Sequence, residues 1–271
     1  NEAALLAARL NRKSIGMAEF QEAIERVQLG PERRSRIMSP EEREITAYHE
    51  AGHAVVSHLL PRARPVRKVT IIPRGMAGGL TWYLDEDQYF YSEAQFLDLI
   101  ASALGGRVAE EIVFGDITTG ASNDLRQITK MARSMVTEYG MSRAMGARVY
   151  GDRQELVFLG REISEQRDYS DAVAEQIDAE VRQIIDEQYA RARQILEENR
   201  DKLELVAQKL LEFESLEAEE FVALMEGRES GAPGSATPPP APRRQREPEQ
   251  ERGKADWNRP NLDMPPAPSP A

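Results

Sequence analysis

Two histidines and a glutamate lie within five consecutive positions of the chain, and their types and spacing could hold and use a metal ion. His49 and His53 stand four residues apart, and Glu50 directly follows the first of them. On a helix this spacing places both imidazoles on one face, one turn apart. Two imidazoles and a third protein ligand leave one position of a zinc ion for water, whose pKa falls to about 7. Glu50 is then predicted to be the general base, which takes the proton of that water and returns it to the leaving amine.

The residues around this motif predict a helix that carries it. Ser39 is the expected N-cap, Pro40 the first helical residue, and Glu42 completes a capping box with Ser39. The core face of the helix is predicted from residues that recur at helical spacing, namely Ile45, Tyr48, Ala51, Val55 and Leu59. Because Pro61 marks the predicted end, the motif should lie in the middle of a regular helix.

Chance occurrence on a solvated helix face is the plain alternative to metal binding for a pentapeptide of this kind. The chain has three histidines, and two of them lie in the motif, which favours a metal site. The third, His58, follows His53 by five residues and therefore faces another side of the helix. We predict that His58 is structural or solvated and is not a metal ligand.

The spacing of the remaining residues leaves the third metal ligand open. Position 59 is Leu59, so a third histidine six residues after His53 is absent and a carboxylate is expected. The candidates in the following segments are Glu110, Glu111, Asp116 and Asp124. All four are of types common on solvated helix faces, and Asp124 could simply serve the dipole of the helix that it opens.

Composition limits the classes of protein to which the chain can belong. Its 271 residues include no cysteine, which excludes disulfides, cysteine-ligated zinc and a cysteine nucleophile. The formal net charge is −11, and without a dense basic patch no nucleic-acid partner is expected. No apolar run approaches the ~18–20 residues of a membrane span, and no signal peptide is visible. Since the chain starts with Asn1 inside a helical pattern, we expect a piece of a longer protein, and since no membrane segment is visible, we expect this piece to be soluble.

The apolar periodicity predicts a mainly α fold with a small antiparallel β-hairpin and a C-terminal helical bundle. Besides the motif helix, helices are expected over 1–10, 17–28, 92–114, 125–140, 170–199, 200–213 and 216–227. Strands are expected over 66–72 and 80–84. The second strand either accepts an extended peptide along an exposed edge or merely packs on the helices.

Four segments follow from these elements and from the distribution of proline. Eleven of the sixteen prolines lie between Pro233 and Pro270, so the end of the chain should be disordered. The predicted segments are 1–30, a truncated helical piece of a neighbouring domain; 31–38, a polar linker; 39–227, the domain with the motif; and 228–271, the disordered tail.

Several stretches of the chain, in the same order along the sequence, resemble the FtsH-type ATP-dependent zinc metalloproteases. They are Asn1–Arg9, Thr46–Val55, Ile71–Gly75, Leu104–Glu111, Thr118–Asp124 and Val157–Arg161. The resemblance extends over residues 1–227 and is far more specific than one pentapeptide. It identifies the first 30 residues with the end of the AAA lid and 39–227 with the zinc metallopeptidase domain.

The resemblance implies a role for each residue of the site. His49, His53 and Asp124 would hold one zinc ion, and Glu50 would be the catalytic base. Glu110 and Glu111 would be structural or would fix the tautomers of the imidazoles.

The resemblance also implies an endopeptidase that hydrolyses unfolded or membrane-extracted proteins as a homohexameric ring fed by ATP hydrolysis. The chain has no G-x-x-x-x-G-K-[ST] phosphate loop. ATP use, and membrane anchoring with the peptidase facing the cytoplasm, are therefore expected only of a full-length protein. The alternatives are a non-catalytic assembly or substrate-recruitment domain with structural zinc, and a zinc hydrolase of small molecules. Glu50 favours the endopeptidase, because a structural zinc site needs no base.

Overall fold

Helices make up most of residues 1–30, 38–73, 78–83, 89–151 and 169–228, which are the residues that a computed structural model of the chain describes. The helices of these residues are α1 (Glu2–Arg9), α2 (Met17–Leu29), α3 (Pro40–Leu59), α4 (Glu93–Phe114), α5 (Ser122–Thr137), α6 (Asp171–Glu198), α7 (Arg200–Phe213) and α8 (Ala218–Met225). The strands are β1 (Val66–Thr70), β2 (Leu80–Tyr83) and β3 (Ser215–Glu217). The mainly α fold with a small antiparallel sheet is thus confirmed.

Some predictions fall outside the residues that the structure describes. They concern most of the linker over 31–38, the stretch Val157–Arg161 and the tail from 229 onward. Across the described ranges, no helix combines the length and the apolar character that crossing a membrane requires.

Capping boxes fix the starts of the two long helices α3 and α4. Ser39 Oγ accepts a hydrogen bond from the Glu42 N–H, and the Glu42 carboxylate accepts one from the Ser39 N–H. Ser92 and Gln95 repeat this arrangement at α4. Because each box satisfies two backbone donors that would lack an intrahelical partner, the local sequence determines where these helices begin.

Two facing glycines allow α3 and α4 to pack closely. A Cβ added at Gly105 would lie 2.5 Å from the Gly52 carbonyl oxygen, which is too close for any larger residue. Helix α4 continues through Gly105 and Gly106 to Phe114, so these glycines serve close packing within one uninterrupted helix. The middle of α3, from Ala47 to Ser57, is largely buried as a result.

The strands form one antiparallel sheet in the order β2-β1-β3. Val69 of β1 pairs with Thr81 of β2 on one side and with Leu216 of β3 on the other. Strand β3 was not predicted, because three residues between two helices are too few to show an alternating pattern. As far as the structure is described, β2 is paired on one side, so its other side is an edge of the sheet.

Helix α2 leaves much of its apolar face exposed. Phe20, Ile24 and Val27 keep 50%, 47% and 71% of their surface accessible, whereas Ala23 is buried. The helix packs on α1 and also reaches the sheet, where Lys68 Nζ lies 3.4 Å from Glu25 Oε2. The first two helices therefore bury little on their own, as their short length predicts.

Candidate metal centre

The two imidazoles of the motif face the first turn of α5. His49 Nε2 lies 3.0 Å from His53 Nε2, and Asp124 Oδ2 lies 3.5 Å and 3.6 Å from these two nitrogens. Among the described residues this is the one group of histidine and carboxylate side chains close enough to hold a metal ion. The structure therefore brings together the two histidines of the motif and one of the four candidate carboxylates.

Asp124 reaches the imidazoles from the first turn of α5, and this helix begins earlier than its apolar pattern predicts. A 3₁₀ turn over Thr119–Ala121 precedes α5, and Thr118 Oγ1 caps this turn by accepting the Gly120 N–H. Helix α5 starts at Ser122, three residues before the start of the helix predicted over 125–140. Asp124 thus lies in the first turn of α5, where the helix dipole also favours a negative charge.

The other three candidate carboxylates are placed elsewhere. Glu110 Oε1 lies 2.6 Å from His49 Nδ1, on the side of the ring opposite Nε2, and its Oε2 accepts the Thr118 N–H at 2.8 Å. Glu111 accepts from Arg193 Nη1 at 2.9 Å. Asp116 is exposed and accepts the backbone N–H of Ile117. None of the three joins the group formed by the two Nε2 atoms.

Contacts at Nδ1 determine which nitrogen of each imidazole is available for a metal ion. His49 Nδ1 faces the Glu110 carboxylate, and His53 Nδ1 lies 2.9 Å from the Ser102 carbonyl oxygen. Both oxygens can only accept, so in the neutral form of each imidazole Nδ1 carries the proton and Nε2 keeps its lone pair. Gly106 N–H also lies 3.3 Å from His53 Nδ1, but the shorter contact to Ser102 decides the tautomer.

The geometry and the donor set fit zinc. Ligand atoms about 2.0–2.2 Å from one tetrahedral zinc ion lie about 3.3–3.6 Å apart. The separations between the nitrogens and Asp124 are close to this range, and the two nitrogens, 3.0 Å apart, lie slightly closer together. Two nitrogen lone pairs and an anionic oxygen repel one another unless a cation lies between them. Burial lowers the pKa of His49, but hydrogen bonds with Asp124 and Glu110 outweigh burial and raise this pKa to about 10. A proton and a metal ion therefore compete for the same strongly negative pocket.

Glu50 lies beside this group, with its carboxylate turned toward β2. The residue is buried, and Thr81 Oγ1 donates to its Oε2 at 2.8 Å. Burial raises the pKa of Glu50, and the nearby imidazoles and the Thr81 hydroxyl oppose this rise. A raised pKa makes a carboxylate a stronger proton acceptor, and this carboxylate lies beside the metal pocket.

Gly106 forms the wall of the pocket on the side of α4. A Cβ added there would lie 2.5 Å from His53 Nε2 and 2.7 Å from His49 Nε2. No side chain fits between α4 and the two imidazoles, so a glycine at this position leaves the space that both Nε2 atoms occupy.

Replacing Gly106 by alanine is expected to displace both imidazoles and to lower zinc affinity by about 100-fold, the upper end for a change next to metal ligands. Competition with a chromophoric chelator measures this affinity. Gly105→Ala is the matched control, because its Cβ meets the backbone of α3 instead of the imidazoles. That variant should lose about 1–3 kcal/mol of unfolding free energy through overpacking and lose less zinc affinity. Equal zinc affinity in Gly106→Ala and the wild type would contradict this account.

His58 lies away from the pocket. Its ring packs edge-to-face on Phe221 of α8, with the ring centroids 5.5 Å apart. Burial, followed by the nearby positive charge of Lys202, lowers the pKa of His58. His58 is exposed and packs on α8, which agrees with the prediction that it is structural or solvated and is not a metal ligand.

Comparison with known proteins places these observations in a family. The model of peptidase family M41 matches residues 36–224 of the chain. The relatives include the ATP-dependent zinc metalloproteases FtsH 1 of Sphaerobacter thermophilus, at 55% identity over 227 residues, and FtsH of Bacillus subtilis, at 52% identity over 228 residues. Both alignments cover 83% of this chain, and 35% and 36% of the respective relatives.

The chain thus spans about a third of the length of the curated relatives that it matches. FtsH of Chloroflexus aggregans gives the same picture, with 56% identity over 230 residues and 35% of its length covered. The family match covers well over half of the chain and contains the motif helix, the sheet and α5. The chain therefore belongs to peptidase family M41, which confirms the family and the metalloendopeptidase class predicted from its sequence.

Proposed function

We propose that the chain is the zinc-dependent endopeptidase part of an ATP-dependent protease. The observation that carries this proposal is the convergence of His49 Nε2, His53 Nε2 and Asp124 Oδ2, with the Glu50 carboxylate beside them. These three side chains would hold the ion, and a bound zinc ion would supply Lewis acidity that brings the pKa of water to about 7. The names of the relatives, which describe zinc metalloproteases, support the choice of metal.

The side chains of the chain divide the remaining work. Glu50 would accept the proton of the attacking water at its carboxylate and deliver it to the nitrogen of the departing amine. Glu110 would keep the Nδ1 proton of His49 in place, and the Ser102 carbonyl would do the same for His53. The free edge of β2 would bind an extended segment of the substrate by backbone hydrogen bonds, which suits unfolded proteins.

The longer protein would add the functions that the described residues do not supply. ATP-driven unfolding, assembly into a homohexamer, and anchoring in a membrane with the peptidase on the cytoplasmic side are proposals for that protein. They rest on the resemblance and on the finding that this chain spans only about a third of the length of its relatives. We further propose that residues 1–30 belong to the end of the AAA lid, that 31–38 are a linker, that 39–227 are the peptidase domain and that 228–271 are a disordered tail.

Metal removal tests the proposal directly. The purified chain, never exposed to chelator, should contain about one zinc ion per molecule and should cleave a casein-like unfolded protein without ATP. Treatment with chelator should abolish cleavage, and added zinc should restore it. A stably folded substrate should resist, because nothing in this reaction unfolds it. Absence of tightly held zinc, or cleavage that survives its removal, would contradict the proposal.

A further inference from the structure

Strand β2 forms the edge of the sheet and also contacts the side chain of Glu50 through Thr81. Thr81 Oγ1 lies 2.8 Å from Glu50 Oε2 and 3.1 Å from the Glu50 carbonyl oxygen. One hydroxyl proton can serve only one of these acceptors, and the shorter bond to a carboxylate is the stronger. Both residues are buried, at 9% and 7% exposure, so water competes little for this hydrogen bond.

Thr81 is well placed to hold the carboxylate steady. It pairs with Val69, a fully buried residue of the central strand β1, and this fixes the position of its backbone. Its β-branched side chain has few rotamers, so the hydroxyl has a defined direction. Within the described part of the chain, Thr81 is the one side chain that donates a hydrogen bond to the Glu50 carboxylate.

Gly79, just before β2, contacts the same side chain from another direction. A Cβ added at Gly79 would lie 2.8 Å from Glu50 Cγ, 2.9 Å from Glu50 Oε1 and 2.7 Å from Thr46 Cγ2. A side chain at this position would therefore push Glu50 out of its place. The neighbouring Gly78 differs, because among the described residues its added Cβ would meet only Thr46 Oγ1, at 3.8 Å.

We infer that Thr81 is a positioning residue for Glu50, and that Gly79 leaves the space in which Thr81 can hold the carboxylate. The inference rests on the proposed function, because it assigns Thr81 a task in the reaction for which Glu50 is the base. A general base acts only within hydrogen-bond reach, about 2.6–3.2 Å between heavy atoms, of the group whose proton it accepts. A misplacement of about 1 Å can cost about 100-fold in rate, so rotation of the carboxylate would slow hydrolysis without affecting the metal ligands.

Removal of the hydroxyl at constant shape tests the role of Thr81. In the zinc-loaded full chain, Thr81→Val should lower kcat for a flexible fluorogenic peptide by about 10- to 100-fold, the range for losing a hydrogen bond to a charged group. KM and zinc content should stay the same. Thr81→Ser restores the hydroxyl and should remain within about threefold of the wild type. Thr70→Val is the control, because it removes the hydroxyl of another buried threonine of the same sheet. The Thr70 hydroxyl forms hydrogen bonds with Glu214 and Ser215 and not with Glu50. This variant should keep the wild-type kcat.

The glycine pair gives a second and independent variant. Gly79→Ala should lower kcat as Thr81→Val does, whereas Gly78→Ala should not. Wild-type kcat in both Thr81→Val and Gly79→Ala would overturn the inference. Equal losses of zinc and of kcat in the two variants would overturn it as well, because the effect would then lie in the metal site.

Crystal structures of the metal-free and zinc-loaded Thr81→Val chain provide a readout that needs no activity. We expect the Glu50 carboxylate to leave its wild-type orientation or to occupy several orientations, with His49 and His53 unmoved. A single, unchanged orientation would refute the positioning role. If the wild-type chain hydrolysed no peptide, the proposed function would fail, but these structures would still decide whether Thr81 orients Glu50.

Discussion

Glu50→Gln is expected to lower kcat for peptide hydrolysis by about 10²- to 10⁴-fold, the range for losing a general base, while zinc content stays the same. Glutamine has the shape of glutamate, and its amide oxygen can still accept the Thr81 hydroxyl proton, but it cannot take up the proton of water. Steady-state kinetics on a flexible peptide and elemental analysis of the same sample give the two readouts. The variant should fold at least as well as the wild type at neutral pH, because burial raises the pKa of Glu50 and so disfavours its charged form.

Glu111→Gln is the matched control for this substitution. Glu111 lies on α4, is partly exposed and pairs with Arg193, so its replacement tests the loss of a carboxylate outside the pocket. Retained hydrolysis in Glu50→Gln would place the base elsewhere. Loss of both activity and zinc would mean that Glu50 contributes to metal binding. Only loss of activity with zinc retained separates a peptidase from an assembly domain with structural zinc, since the latter needs no base.

The local sequence was sufficient to predict where the main helices of the site begin. The capping boxes at Ser39 and Ser92 involve residues three positions apart, and the structure contains both of them. The spacing of His49 and His53 likewise fixes one shared helix face. These features depend on contacts within one turn of helix, so no knowledge of the tertiary fold was needed.

The partners of the site residues could not be predicted in this way, because they come from other elements. Thr81 is 31 positions from Glu50, and Ser102 is 49 positions from His53. The Ser102 contact also uses a backbone carbonyl, which any residue type could provide. For Gly106 a signal did exist, since a Gly-Gly pair inside a helix is unfavourable unless something packs close to it. That signal is compatible with close packing or with a bend of the helix, and it does not show that Gly106 faces the imidazoles.

The choice among the four carboxylates shows the same limit. Glu110 and Glu111 are adjacent on α4, yet one faces His49 and the other Arg193. The rotation of α4 about its axis relative to α3, on which it packs, decides this difference. Asp124 reaches the pocket only because a 3₁₀ turn redirects the chain before α5. Neither feature is visible in residue spacing, so only the resemblance could favour Asp124 from the sequence.

Asp124→Ala is expected to have the largest effect on metal binding. It removes one of three side chains that converge on the pocket, so zinc affinity should fall by more than about 100-fold, beyond the usual effect of losing an outer partner. Hydrolysis should fall with it at limiting zinc. Chelator competition gives the affinity, and activity measured against free zinc concentration shows whether excess metal restores turnover. Restoration would be partial, since the two imidazoles would still bind the ion weakly.

Glu110→Ala and Glu111→Ala complete a graded series that tests the placement of all three carboxylates. The Glu110 carboxylate contacts His49 Nδ1 and accepts the N–H of Thr118, which precedes the turn before Asp124. Its loss should therefore make His49 and Asp124 less well positioned without removing either side chain. We expect about a 10- to 100-fold loss of zinc affinity there. Little loss is expected in Glu111→Ala, because Arg193 holds that carboxylate outside the pocket. A larger loss for Glu111 or Glu110 than for Asp124 would reverse the assignment of the third ligand, because the residue that binds the ion directly must show the steepest dependence on its side chain.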